Sequence, residues 1–115
     1  MTTLTQLVPQ NVLQRLVHSL APERVVLFGS RARSTAHAAS DIDLLLVGTW
    51  SMDAAQLLRH ARHLVAHSFP RFDLVLCTPE EIAAAEAGGA PFLRSILESG
   101  VVIYDRRGKH AAGGV

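Results

Sequence analysis

Two stretches decide the fold: Val25-Val26-Leu27-Phe28-Gly29-Ser30-Arg31-Ala32-Arg33, and Ser40-Asp41-Ile42-Asp43-Leu44-Leu45-Leu46-Val47. Each carries a short, continuous run of aliphatic and aromatic residues bounded by turn residues. Such runs predict strands buried on both faces, here Arg24–Phe28 and Ile42–Val47. Gly29 closes the first and Gly48-Thr49 the second. Between them, Arg31 to Ala39 is Ala-rich and polar, one or two helical turns and then a loop.

Outward from this pair the chain alternates. Val12, Leu13, Leu16, Val17 and Leu20 repeat at helical spacing, so Asn11 to Leu20 is an amphipathic helix stopped by Pro22. Ser51 to Phe69 is the longest helical pattern, with Ser51 as N-cap, Ala54, Leu57, Leu58, Ala61, Leu64, Val65 and Ser68 on one face, and Pro70 as its stop. Phe72 to Cys77 is a third strand. Thr78-Pro79-Glu80-Glu81 is a helix start with Thr as cap, Pro at the first position and Glu three residues on. That helix runs to about Ala87, before Gly88-Gly89. Pro91 to Glu98 is a further helix with Gly100 as its stop, and Val101 to Tyr104 a fourth strand. The pattern is α/β (α+β): a small mixed β-sheet with helices packed on it. Residues 1–105 read as one domain and 106–115 as a flexible C-terminal tail.

Composition narrows the function. With 115 residues, 49% of them hydrophobic and 18% charged, the chain is apolar enough to fold and sized for one domain. One cysteine forms no intrachain disulfide. A net charge of +1 argues against an electrostatically driven nucleic-acid binder. The N-terminus shows no targeting pattern, and the longest apolar run, Leu44 to Val47, is far too short to span a bilayer. A cytoplasmic protein is expected, with neither membrane nor nucleic acid as partner.

Asp41 and Asp43 stand two apart at a strand start, so both carboxylates project from one face while Ile42 points to the other. Paired hard oxygens suit Mg²⁺ or Mn²⁺. A bare Asp-x-Asp fits a solvated strand start as well, and most Gly-Ser turns are only turns. Context adds to both. Gly29-Ser30 closes a strand where a phosphate can approach the backbone, and Arg31 and Arg33 add positive charge. If the first two strands run antiparallel, the Gly-Ser turn and the Asp pair share one end of the sheet. A right-handed crossover then lays the third strand parallel to the second and brings Asp73 to that end. Three carboxylates beside a phosphate-binding turn are what two-metal nucleotidyl or phosphoryl transfer requires.

Gly29-Ser30, followed at the right distance by Asp41-Ile42-Asp43, resembles the signature of the DNA-polymerase-beta-like nucleotidyltransferase superfamily. The flanks Leu27-Phe28-Gly29-Ser30-Arg31-Ala32-Arg33 and Ser40-Asp41-Ile42-Asp43-Leu44 resemble its minimal (MNT or MntA-type) branch, and Phe92 to Tyr104 resembles the end of that branch. The resemblance implies a nucleotidyltransferase fold, with Asp41 and Asp43 holding two Mg²⁺ ions. It implies that Asp73 completes the metal site and orients or deprotonates the acceptor hydroxyl. Gly29 and Ser30 would hold the β- and γ-phosphates of a nucleoside triphosphate, with Arg31 and Arg33 as the accompanying basic residues. It further implies an antitoxin paired with a HEPN-type toxin, transferring AMP from ATP to a toxin tyrosine. Ser34 departs from the glycine often found there. Two other functions are weighed beside this one: an antitoxin that masks its toxin without chemistry, and a small-molecule (antibiotic) nucleotidyltransferase. The second needs an acceptor-binding domain that these residues do not supply.

Other residues carry less. His60, His63 and His67 share a helix face offset from the apolar stripe, which fits a solvated or partner-facing surface better than a metal site. His18, His37 and His110 belong to no constellation. Cys77 reads as a packed thiol, Trp50 and Tyr104 as candidate interface aromatics, and Arg106-Arg107-Gly108-Lys109 as a solvated basic cluster.

Overall fold

The computed structural model describes residues 8–32 and 40–108. Helix α1 spans Gln10–Leu20 and buries Val12, Leu13, Leu16 and Leu20. It ends at Ala21, which takes a left-handed φ of 46° so that its N–H reaches the Val17 carbonyl at 2.9 Å. Pro22 cannot continue the helix. Strand β1 (Arg24–Phe28) follows, then a single 3₁₀ turn over Gly29–Arg31, then β2 (Ile42–Val47).

Helix α2 spans Ala54–Leu64, shorter than the Ser51–Phe69 expected. The cap is Asp53, not Ser51: its carboxylate accepts from the Ala55 and Gln56 N–H groups at 3.1 and 3.4 Å. An aspartate there satisfies two otherwise unpartnered N–H groups and favours the positive end of the helix. At the other end Arg15 of α1 donates from Nη1 to the Leu64 carbonyl at 2.8 Å, satisfying a last-turn acceptor and marking the true terminus. Strand β3 (Phe72–Cys77) leads into α3 (Pro79–Glu86), whose predicted capping box is complete. Thr78 Oγ1 accepts from Glu81 N–H at 3.1 Å, and Glu81 Oε1 accepts from Thr78 N–H at 2.8 Å. Helix α4 (Pro91–Ser99) and strand β4 (Val101–Asp105) complete the order. Gly100 is needed for a reason other than a left-handed stop. Its φ is an ordinary −79°, but a methyl there would lie 2.5 Å from Val26 Cγ1 and 2.6 Å from the Ile96 carbonyl.

The sheet order is β3-β2-β1-β4. Strand β1 is antiparallel to both β2 and β4, and β2 is parallel to β3, as the placement of the acidic residues requires. Helices α1 and α2 cover one face through Leu16, Leu20, Leu57 and Ala61 against Val25, Leu27, Leu44, Leu46 and Leu74. Helices α3 and α4 cover the other through Ile82 and Ile96 against Val26, Leu45, Val47 and Cys77. Central strand β2 is therefore buried on both sides, which explains why Leu44-Leu45-Leu46 shows no alternation. Each such side chain contributes about 1.5–3 kcal/mol relative to exposure. No described helix is long and apolar enough to cross a membrane. Of the expected tail, Arg106 to Gly108 form a turn: Arg106 N–H donates to the Glu23 carbonyl, and the Asp105 carboxylate accepts from Arg107 and Gly108. Residues 109–115 lie outside the described residues.

Candidate active site

Register builds the site. Phe28 of β1 faces Asp43 of β2, and Asp43 faces Asp73 of β3, so one row crosses three strands at one end of the sheet. Neighbouring strands lie about 4.8 Å apart, which sets the two aspartates side by side. Their alternation with Leu45 and Val75 puts both on the α3/α4 face. Ile42, between Asp41 and Asp43, is fully buried on the opposite face, as strand period demands. Asp43 is half-buried, whereas Asp41 and Asp73 are exposed.

The turn after β1 is shaped around Asp43. Gly29 has φ +77°, and a methyl group there would fall on the Asp43 carboxylate oxygen Oδ2 and within 3.0 Å of its Cγ. Glycine thus does two things at once: it takes a left-handed conformation and it leaves room for a carboxylate. Ser30 follows in the same turn, and the Ala32 N–H closes that turn onto the Gly29 and Ser30 carbonyls. Behind it, Phe28 meets Phe92 of α4 edge-on, with centroids 6.5 Å apart and planes at 85°, which anchors the helix to the strand that ends in the turn.

Arg31 has a role that sequence reasoning missed. Its guanidinium forks onto the Ser40 carbonyl, from Nε at 3.3 Å and Nη2 at 3.0 Å. It joins the Gly-Ser turn to the residue before Asp41 and so fixes the distance between the two halves of the site. The local pattern could not signal this, because the contact closes a loop whose two ends are separated in sequence. Arg33, expected beside it, lies outside the described residues, as do Ser34 and His37.

The donors at this end of the sheet are carboxylate oxygens, the ligand type of a hard divalent cation, and Gly29 leaves space beside one of them. Among the described residues no three His, Cys, Asp or Glu side chains are drawn close enough to hold a metal ion. The register gathers the backbones of Asp43 and Asp73, but like charges do not gather unaided. His60, His63 and His67 are exposed, and His63 and His67 border a shallow cavity with Arg15. Cys77 is buried at the sheet–α3 contact, where burial and then the Glu81 carboxylate push its thiol up to about 11. That makes it a packing residue and not a thiolate nucleophile. Trp50 donates from Nε1 to the Leu20 carbonyl at 2.8 Å and covers Gly48, where a methyl would meet its ring at 2.6 Å. It secures the end of α1, a use its sequence position did not reveal.

The fold is shared with known structures. One is a crystal structure from Sulfolobus solfataricus with a provisional nucleotidyltransferase assignment. It is 20% identical with a TM-score of 0.60, over 88% of this chain and 80% of that one. A toxin–antitoxin structure with AMP-PNP is 21% identical with a TM-score of 0.60, over 88% of this chain and 77% of that one. No curated protein matches the chain. The family model described as the nucleotidyltransferase domain matches residues 10–103, the span holding the Gly29-Ser30 turn and all three aspartates, and the chain belongs to that family.

Proposed function

We propose that this chain transfers AMP from ATP to a hydroxyl of a partner protein, as the antitoxin of a toxin–antitoxin pair whose toxin is of the HEPN type and whose acceptor is a tyrosine. The observation that carries the reading is the row Phe28–Asp43–Asp73, set against the Gly29-Ser30 turn. The family match supports the transfer, and the toxin–antitoxin likeness supports the kind of partner.

Gly29 and Ser30 bind the β- and γ-phosphates in the turn after β1. Arg31 holds that turn to Ser40 and so keeps Asp41 and Asp43 at a fixed reach from the bound phosphates. Asp41, Asp43 and Asp73 would hold two Mg²⁺ ions, which when bound supply charge neutralisation on the phosphates. Asp73, on the open side of the row, orients the acceptor hydroxyl and takes up its proton. The acceptor oxygen forms a bond to the α-phosphorus, the bond from that phosphorus to the bridging oxygen breaks, and pyrophosphate leaves with the electron pair.

The test is incorporation of α-phosphate label from ATP into a co-expressed partner. Asp41→Asn and Asp43→Asn are expected to lose incorporation while keeping the wild-type melting profile; an undiminished signal in both refutes the assignment. A second reading is masking of the toxin without chemistry. Persistent protection of cells by the Asp41→Asn protein would select it.

A further inference from the structure

The sheet has two edges, and they are built differently. At the β4 edge the pairing with β1 slips register between Val25 and Val26, and the strand runs out into Asp105-Arg106-Arg107. Irregular pairing and charge are how sheets discourage further strands. The β3 edge is regular and, beyond Asp73, uncharged to its end at Cys77. Its ladder with β2 is unbroken from Ile42↔Phe72 to Val47↔Cys77, and Asp73 is the strand's one charge.

Hydrogen-bond bookkeeping identifies what this edge offers. The Ile42 N–H donates to the Arg71 carbonyl at 2.8 Å, and the Gly48 N–H to the Cys77 carbonyl at 3.0 Å. A parallel ladder uses alternate residues of each strand, so Asp73, Val75 and Cys77 turn their backbone groups to β2. Phe72, Leu74 and Leu76 turn theirs outward, and among the described residues no strand pairs there. Residues 74–78 also line a groove of about 520 Å³, with Leu57 and Leu58 of α2 on one side and Glu81 of α3 on the other. Met52, among its lining residues, is 44% exposed.

We infer that a second copy of this chain docks here, β3 antiparallel to β3, making one continuous sheet about a two-fold axis. The strand is complementary to itself. With the axis at Val75, Leu74 of one copy faces Leu76 of the other. Both residues turn N–H and C=O outward, so each pair exchanges two hydrogen bonds. The same register sets Asp73 against Cys77, and the two carboxylates do not meet. A two-fold axis perpendicular to the sheet returns each face to itself, so the apolar α2 walls meet each other. Glu81 on the other wall is engaged by its own Thr78 N–H. A net charge of +1 leaves little long-range repulsion between copies. The inference rests on no step of the proposed transfer, although Asp73, assigned there to the acceptor hydroxyl, borders this interface.

Sedimentation equilibrium across a concentration series, paired with NMR amide exchange on the full chain, tests it. Exchange at Leu74 and Leu76 is expected to slow about 10-fold or more as the dimer forms, while Val75, bonded to β2, is protected at every concentration. Leu58→Glu, and separately the exposed-site variant Met52→Glu, should return a folded monomer with fast exchange at both leucines. A chain that stays monomeric throughout overturns the inference. So does a dimer in which the Leu74 and Leu76 amides exchange as in dilute solution.

Discussion

Three glycines separate two sources of strain, and their alanine variants form a graded series. Gly88 has φ +100° with open space around it, so Gly88→Ala carries a backbone cost alone, about 1–2 kcal/mol. Gly100 has an ordinary φ but no room, its would-be methyl 2.5 Å from Val26 Cγ1 and 2.6 Å from the Ile96 carbonyl. Gly100→Ala therefore carries only the cost of overpacking, about 1–3 kcal/mol. Gly29 combines both, with φ +77° and the Asp43 carboxylate in the methyl's place. Its alanine variant is expected to lose about 2–5 kcal/mol if the two costs add. Urea unfolding measures all three. At about 4–8 °C per kcal/mol for a domain near this size, the Gly29 and Gly88 variants should also separate clearly in a thermal melt. A double-mutant cycle isolates the contact: in an Asp43→Ala background, Gly29→Ala should cost no more than Gly88→Ala. If Gly29→Ala is as mild as Gly88→Ala and also leaves label transfer at the wild-type level, the carboxylate neither abuts the turn nor has to swing aside for the methyl, and the geometry proposed for the site is wrong.

Two further expectations follow from single contacts. Arg31→Lys should lower label transfer nearly as much as Arg31→Ala, because an ammonium cannot fork onto the Ser40 carbonyl as the guanidinium does; full activity in the lysine variant would show that charge alone matters. For Cys77, alkylation of the native chain should be slow at neutral pH, since the thiol keeps its proton up to about 11. The unfolded chain loses that proton near 9.0, so between these values the folded state binds more protons and stability falls as pH rises. Urea midpoints across this window should fall more steeply in wild type than in Cys77→Ala, and parallel slopes would contradict the placement of the thiol.

Much of this architecture was legible because the governing rules are local. Thr78 and Glu81 satisfy each other within one turn, and a Leu-rich β2 flanked by alternating helices reads as a strand covered on both sides. The placement of Asp73 needed a longer argument, but still one about connection length and handedness, and the parallel β2–β3 register agrees with it. What escaped the sequence were contacts between distant segments. Arg15 fixes the end of α2 from α1, across 49 residues of chain, whereas the cap at Asp53 is a local contact that the sequence offered beside Ser51. Trp50 is committed to Leu20, and Arg31 to Ser40. Gly29 shows the division within one residue. Its glycine identity is visible as a strand terminator, but the need for it comes from Asp43, which only the antiparallel β1–β2 pairing brings alongside. The turn and the acidic pair are therefore one structural unit. A methyl group at Gly29 disturbs both halves, so Gly29→Ala should lose stability and activity together, whereas the shape-preserving Asp→Asn changes at Asp43 and at the exposed Asp41 should lose activity alone.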